Sequence, residues 1–250
     1  MSAEEWPSMA ESDQQRFAEA RHQVHSLLQW LARIEKSYGP AAGSTADVTL
    51  RWCDARKAIT TRRLGKDLQL ELRLPEMVLQ FWEGGRAANH ALSAEEHSPA
   101  HVEAWLLIEL LHRGIDRKRF TKELPYDVSG LMSGDGVEFS PELYRNELIT
   151  LTQCLTAAAA AILQASETAS QDPDEEIVLR PNDFSLEAAF DSRRVLGFKA
   201  SGAKVGEPLF YIRTSDEGGR TDVCNEIILP VSRLPSSGGC ERLRMFFQSH

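Results

Sequence analysis

The chain is predicted to have an α+β fold, because helical and strand patterns occupy separate stretches of the sequence. Apolar residues recur at helical spacing between residues 12 and 38, and four leucines alternate with polar residues from Leu68 to Leu74. Beyond residue 176 the apolar pattern is that of β-strands, apart from a short final helix. We therefore expect an antiparallel β-meander packed with three main helices, followed by a C-terminal antiparallel β part.

The first predicted helix covers residues 12 to 38 and ends at Gly39 and Pro40. Its apolar stripe consists of Phe17, Val24, Leu28, Leu31 and Ile34. Three strands are predicted next, at residues 48–52, 58–64 and 68–74, joined by short polar segments. In the third strand a period of two residues places all four leucines on one face.

The middle of the chain is predicted to contain two more helices. Residues 76–97 are ambiguous, since Gly84 and Gly85 interrupt any helix. A helix capped by Ser98, with Pro99 in its first turn, is expected to run to Gly114 and to be buried on most sides. Residues 115–125 are predicted to return as an edge strand, residues 130–136 to form a loop, and residues from 140 onward to form the third helix.

A polar, acidic segment at residues 166–176 is predicted to be a linker. It separates an N-terminal α/β part, residues 1–165, from a C-terminal β part, residues 177–250, which we expect to pack on the first. Strand patterns in the second part cover residues 184–190, 195–200, 209–212 and 227–229, and a short helix is predicted at 242–247. The pattern leaves open whether the two parts are one domain or two.

Composition indicates a soluble protein of the reducing cytoplasm. The 250 residues are 42% hydrophobic and 26% charged, with a net charge of −9. The N-terminus is acidic and lacks the pattern of a signal peptide, and no apolar run approaches the roughly 20 residues that cross a bilayer. Cys53, Cys154, Cys224 and Cys240 have no paired spacing, as expected for thiols that stay reduced.

No metal or cofactor site is expected from the sequence. His90, His97 and His101 lie near one another, and the four-residue step from His97 to His101 is typical of metal ligands on one helix face. Pro99 lies between them, however, and a cap at Ser98 would leave His97 outside the helix. Glycine-rich phosphate loops, nucleophile elbows and Cys-x-x-Cys pairs do not occur in the sequence.

The first two predicted strands are locally basic, which is a feature of nucleic-acid binding proteins. The basic residues are Arg51, Arg56, Lys57, Arg62, Arg63 and Lys66. They fall on both faces of the strands, and Trp52 is the one aromatic residue beside them that could stack on a base. These residues are therefore interpreted as a solvated sheet edge, and the net charge argues against a nucleic-acid or membrane partner.

Several short motifs resemble an uncharacterised bacterial domain-of-unknown-function family. In the first helix His25, Gln29 and Arg33 match its His-x3-Gln pattern and the basic residue that follows. The C-terminal stretches Arg180–Phe184 and Glu207–Ile212 are similar to its Phe-containing strand and its Glu-Pro-x-x-Tyr strand. The resemblance implies a similar architecture, and no activity comes with it.

These observations favour an uncharacterised binding module for a small ligand or a protein partner. The candidate ligand-binding residues are His25, Gln29, Arg180, Asp183 and Tyr211. They border apolar faces, so we expect a pocket between the polar flank of the first helix and the C-terminal strands. One alternative is an enzyme of unknown class whose site is assembled from distant residues, and a second is nucleic-acid binding through the basic strands. The oligomeric state, the substrate and the partner do not follow from the sequence.

Overall fold

The computed structural model describes residues 13–40, 42, 47–65, 67–165, 177–191, 193–200, 207–214, 225–235 and 238–248. The chain divides into two compact units: one is Gln15–Ile149, and the other combines Met1–Gln14 with Thr150–His250. The boundary at residue 149 falls within a helix. The linker predicted at 166–176 lies outside the described residues. The fold class is α+β, as predicted.

The unit Gln15–Ile149 contains a six-stranded antiparallel sheet and the helices α1 and α2, and α3 begins in it. The helices are α1 (Gln14–Tyr38), α2 (Pro99–His112) and α3 (Arg145–Ala165). The strands are β1 (Arg51–Cys53), β2 (Ala58–Thr60), β3 (Leu68–Arg73), β4 (Val78–Glu83), β5 (Arg86–Ala87) and β6 (Leu92–Ser93). The order β1-β2-β3-β4-β5, with β6 also pairing with β4, confirms the predicted meander.

Strand β3 has the predicted alternation. Leu68, Leu70, Leu72 and Leu74 are all buried, as the period of two requires. The ambiguous stretch 76–97 continues the sheet: β4 pairs with β3 along its whole length and turns through Gly84 and Gly85 into β5. Both glycines have positive φ, which a tight turn between paired strands needs.

Helix α1 agrees with its prediction, and its apolar stripe is buried. A charged residue, Glu35, is buried at its C-terminal end and accepts hydrogen bonds at 2.9 Å from the backbone N–H and the Nε of Arg62. Burial raises the pKa of Glu35, and Arg62 partly offsets this effect. A Cβ atom at Gly39 would lie 2.5 Å from the backbone carbonyl oxygen of Glu35, so the residue that follows the helix must be glycine.

The edge strand predicted at residues 115–125 is wrong. This stretch holds a 3₁₀ turn at Arg117–Arg119 and otherwise irregular backbone. Its polar groups bond to α1 rather than to a strand: the Thr121 N–H donates to Oγ of Ser37 at 3.0 Å, and Nε of Arg33 donates to the Lys122 carbonyl at 3.1 Å. The helix therefore satisfies groups that a sheet would otherwise have paired.

Helix α2 begins as predicted, but it is not buried on most sides. Oγ of Ser98 accepts from the His101 N–H at 3.2 Å, which confirms the cap. Ile108 and Leu111 are exposed, while Val102, Leu106 and Leu110 form the buried stripe. The leucine and isoleucine content of a helix therefore does not show whether it is buried on all sides or only on the face that packs on a sheet.

The C-terminal unit contains a five-stranded antiparallel sheet in the order β11-β10-β9-β8-β7. The strands are β7 (Val178–Arg180), β8 (Ser185–Ala189), β9 (Arg194–Lys199), β10 (Leu209–Thr214) and β11 (Asn225–Pro230), and helix α4 is Gly239–Gln248. One sheet face is apolar, with Phe198 and Phe210 paired in register and Phe247 of α4 against Phe210 at 5.9 Å between ring centroids. The opposite face carries charged residues.

Helix α3 is long and apolar enough to cross a membrane, judged by length and composition only. This finding differs from the prediction that no apolar run approaches the length of a membrane span. Of its most apolar 18-residue window, 44% is buried within the folded chain, and the core helix of a soluble protein passes the same test.

Candidate functional site

The five predicted ligand-binding residues lie in two different compact units. His25 and Gln29 are on α1 in Gln15–Ile149, whereas Arg180, Asp183 and Tyr211 belong to the C-terminal unit. The pocket expected between these two groups thus stays a prediction.

Gln29 borders a cleft of about 280 Å³ between α1 and the loop 127–133. Its side chain is buried, its Nε2 donates to the His25 carbonyl at 3.2 Å, and its Oε1 accepts from the Tyr126 hydroxyl at 3.0 Å. Burial raises the pKa of Tyr126, so the phenol stays protonated as a donor. Nε2 of Gln29 thus bonds within α1, and only Oε1 ties the segment that carries Tyr126 to the helix.

In the C-terminal unit Arg180 and Tyr211 converge on one buried carboxylate, that of Glu187. Oε2 of Glu187 accepts from Nε of Arg180, and Oε1 accepts from the Tyr211 hydroxyl and, at 2.8 Å, from Nη2 of Arg213. Asp183 adjoins this network: its carboxylate accepts from Oγ of Ser185 at 2.7 Å, and burial raises the pKa of Tyr211 with a contribution from the charge of Asp183. The sequence therefore identified a polar cluster here but missed its centre.

The Glu187 network has the properties of a structural ion pair. Burial by itself would raise the pKa of Glu187, but hydrogen bonds from Tyr211 and Arg180 and the charges of Arg180 and Arg213 lower it. Each carboxylate oxygen already accepts from a side chain of the same sheet. Such a buried carboxylate fixes the orientation of the three side chains that donate to it.

The histidine pair considered from the sequence, His97 and His101, forms a tilted ring contact, with the centroids 4.1 Å apart and an interplanar angle of 59°. Among the described residues it belongs to no group of three potential metal ligands. Nδ1 of His97 is buried without a hydrogen-bond partner.

A different histidine cluster does assemble three potential metal ligands: His90, Glu109 and His112. Glu109 and His112 are three positions apart at the C-terminal end of α2, so their side chains lie on one helix face. His90 follows β5, on the segment that leads into β6. The cluster therefore forms where the end of a hairpin meets the end of a helix.

The segment that carries His90 is fixed to the sheet. The Ala88 N–H donates to the Phe81 carbonyl at 2.8 Å, and Nε2 of Gln80 donates to the Ala88 carbonyl at 2.7 Å. On the helix side, the rings of Phe81 and Trp105 lie 5.7 Å apart, which packs α2 on β4. These contacts determine the distance between the hairpin and the helix.

Both histidines face the same oxygen of Glu109. Nδ1 of His90 lies 3.5 Å from Oε1, and Nδ1 of His112 lies 3.6 Å from it. All three ligand atoms lie within 4.8 Å of one another. The two imidazoles are well exposed, with 68% and 56% of their side-chain surface accessible, whereas Glu109 is 3% exposed. One rigid buried ligand is thus combined with two adjustable ones.

Arg113 holds the other oxygen of Glu109. Its Nη1 donates to Oε2 at 2.6 Å and also to the Glu109 carbonyl at 2.9 Å, and its Nε pairs with Glu83 at 2.7 Å. The guanidinium carbon lies 4.4 Å from the ring centroid of Phe81. Arg113 therefore orients the carboxylate and leaves Oε1 pointing at the histidines.

The cluster lies in an open cleft of about 500 Å³, which Arg86 and Asn89 also line. A cleft of this size is within the range of small-molecule sites. Sequence reasoning missed the site because His90 and Glu109 are far apart in the chain. The one local signal was the spacing of Glu109 and His112, which is common on solvated helices.

The basic residues of the first strands are largely paired. Arg56 bonds to Glu71 at 2.7 Å, Arg62 to Glu35 at 2.9 Å, and Lys57 to Asp54 at 2.6 Å. β1 is an edge strand of the sheet, as interpreted from the sequence. Neighbouring carboxylates thus neutralise much of the basic character.

Comparison with protein-family models, with curated proteins and with solved structures found no match to this chain.

Proposed function

We propose that this protein is a binding module for a divalent transition-metal ion, held by His90, Glu109 and His112. This is a specific form of the small-ligand binding predicted from the sequence. It replaces the expectation, drawn from the spacing of His97 and His101, that the chain has no metal site.

The spacing of the three ligand atoms is the observation that carries the proposal. The two Nδ1–Oε1 separations of 3.5 and 3.6 Å are too long for hydrogen bonds, which span about 2.7–3.2 Å. Ligand atoms at about 2.0–2.2 Å from one tetrahedral metal ion are roughly 3.3–3.6 Å apart. The separations therefore suit a shared cation better than imidazoles hydrogen-bonded to the carboxylate.

The surroundings of the cluster also favour a cation. His112 is the last residue of α2, where unpaired carbonyl groups give the helix end a partial negative charge. Arg113 supplies the carboxylate with an outer partner, and such partners orient metal ligands and tune their basicity.

The ligand types indicate the class of metal. Two imidazoles and one carboxylate suit zinc, cobalt, nickel or copper, whereas magnesium and calcium prefer oxygen ligands alone.

Isothermal titration of the full-length chain with Zn²⁺ and Co²⁺ tests this proposal. We expect one equivalent to bind, and Mg²⁺ and Ca²⁺ to bind far more weakly. His90→Ala and Glu109→Gln should each weaken binding by about 100-fold or more, since even outer partners of metal ligands are worth about 10- to 100-fold.

His101→Ala is the matched control. Like His112, His101 is an exposed histidine on α2, but it lies in the first turn, at the other end of the helix from the proposed site. The substitution should leave the affinity unchanged. His90 is on an exposed segment, so its loss is not expected to disturb folding even if Glu109→Gln does. Binding that is equally strong in wild type and His90→Ala would rule out this site.

We also propose a cytoplasmic location. Cys154 is buried, and burial raises the pKa of its thiol to about 12, which makes it unreactive. Cys53 is also a free cysteine. Fractionation of cells that express the tagged chain, with membranes separated from soluble protein, tests the location.

A further inference from the structure

The cleft around the three ligands offers room and polar groups beyond those that would hold the ion. Three protein ligands leave at least one coordination position open, and metal sites that take up water or substrate have this arrangement. The cleft of about 500 Å³ is lined by the ligands themselves and also by Arg86 and Asn89. Both of these residues are exposed and lie on the hairpin side of the cleft.

Arg86 differs from the other guanidinium group of the cleft. Arg113 is paired with Glu109 and Glu83. Arg86 makes no ion pair with any residue that the structure describes, and the side chain of Asn89 makes no hydrogen bond within that part of the chain. A cationic donor and an amide donor therefore face the cleft without an acceptor among the described residues.

The charge balance indicates what these donors would meet. Among the described residues that line the cleft, the charges of two carboxylates, Glu83 and Glu109, cancel those of two guanidinium groups, Arg86 and Arg113. A bound divalent cation would leave a net charge of two positive units. Local potential of one sign in a cleft concentrates small ions of the opposite sign.

We propose that the metal-loaded cleft binds a small oxyanion, a carboxylate or a phosphate, with one oxygen on the metal ion and another on the Arg86 guanidinium. Asn89 donates a further hydrogen bond. Guanidinium groups match both anions through paired N–H donors. This proposal rests on the proposed metal binding and names the class of molecule that the same site takes up.

The test uses the full-length chain loaded with Co²⁺, whose visible absorption reports changes in coordination. Inorganic phosphate and acetate are titrated in separate arms, each repeated without metal. We expect at least one anion to alter the cobalt spectrum saturably and to show no binding to the metal-free chain. The anion that binds with the higher affinity, phosphate or acetate, identifies the class of ligand.

Arg86→Gln should weaken anion binding by about tenfold or more while one equivalent of cobalt still binds. Arg63→Gln removes the same charge from another exposed residue, which lies outside the cleft, and it should have no effect.

The contradicting outcomes separate the two proposals. If cobalt binds and neither anion alters its spectrum at millimolar concentration, or if Arg86→Gln leaves anion affinity unchanged, the oxyanion proposal is wrong and the metal proposal stands. If no cobalt binds, both are wrong.

Discussion

At the scale of single residues, the contact between Gly197 and Tyr211 leaves no space for a larger side chain at position 197. Gly197 lies beneath the ring of Tyr211, with which it is paired across β9 and β10. A Cβ atom at this position would be 2.1 Å from the ring. Tyr211 is fully buried and its hydroxyl bonds to Glu187, so the ring has no room to move aside.

Gly197→Ala is therefore expected to lower the free energy of unfolding by about 1–3 kcal/mol, the usual cost of overpacking. Urea denaturation followed by circular dichroism measures it. Gly136→Ala is the control, because its Cβ would meet nothing within 4 Å and its φ is not positive. Equal effects of the two substitutions would show that the contact with Tyr211 is unimportant.

Glu187 makes the stability of the C-terminal unit depend on pH. Its pKa is lowered in the folded state, because hydrogen bonds and the charges of Arg180 and Arg213 outweigh burial. The folded state therefore binds this proton less readily than the unfolded chain does. The stabilisation is present above the unfolded pKa of about 4.3 and is lost as the pH falls through the lower folded pKa.

We accordingly expect the wild-type chain to lose more stability between pH 5 and pH 3 than Glu187→Gln, which cannot titrate at this position. Thermal denaturation across that range measures the difference. Glu241→Gln, at a glutamate with 70% of its side chain exposed, should behave as wild type does. A Glu187→Gln profile parallel to that of wild type would contradict this assignment.

At the scale of elements, local sequence patterns predict where a helix begins better than they predict which distant segments contact it. Ser98 was identified as a cap from its position before Pro99, and it does accept the His101 N–H. Its hydroxyl also donates to Asp135, which ties the loop 130–136 to the start of α2. That second contact has no local sequence signal, since it depends on how a distant loop folds back.

Ser98→Ala should lower stability by about 1 kcal/mol or somewhat more, because it removes the cap and leaves Asp135 without this donor. Ser133→Ala changes an exposed serine of the same loop and is expected to be neutral. Chemical denaturation of both variants provides the measurement. A neutral Ser98→Ala would mean that water replaces the hydroxyl at no cost.

The wrongly predicted strand at 115–125 shows why irregular segments resist sequence reasoning. Its apolar residues fit an edge strand, but Ser37 and Arg33 of α1 take up its backbone groups. The leucines of β3 could be predicted to share one face because apolar residues at every second position are typical of a strand with one buried face. A hydrogen bond between a helix side chain and a loop leaves no period in the sequence.

At the scale of the whole molecule, the same reasoning explains what could be predicted of the site. The polar C-terminal cluster was located, since Arg180 and Tyr211 stood out beside apolar strands, but Glu187 between them was not identified. The ligand set His90, Glu109 and His112 requires the hairpin to meet α2. That meeting is set by the packing of Phe81 on Trp105 rather than by any motif.

The charge of the whole chain leads to a prediction about nucleic acids. The net charge is −9, and Arg56 and Arg62, which lie beside β1 and β2, are paired with carboxylates. Any affinity for labelled single-stranded DNA or RNA at low salt should vanish near 0.15 M salt, where screening extends over about 8 Å. Fluorescence anisotropy measures it. Submicromolar affinity at that salt would show that the basic strands form a binding surface.

The central claim, that His90, Glu109 and His112 form a metal centre, is tested most directly by X-ray absorption at the zinc edge of the loaded full-length chain. We expect two imidazole ligands, with all first neighbours being nitrogen or oxygen at about 2.0–2.2 Å, and one imidazole fewer in His90→Ala. Sulfur at about 2.3 Å, or an imidazole count that His90→Ala leaves unchanged, would place the ion elsewhere and contradict the claim.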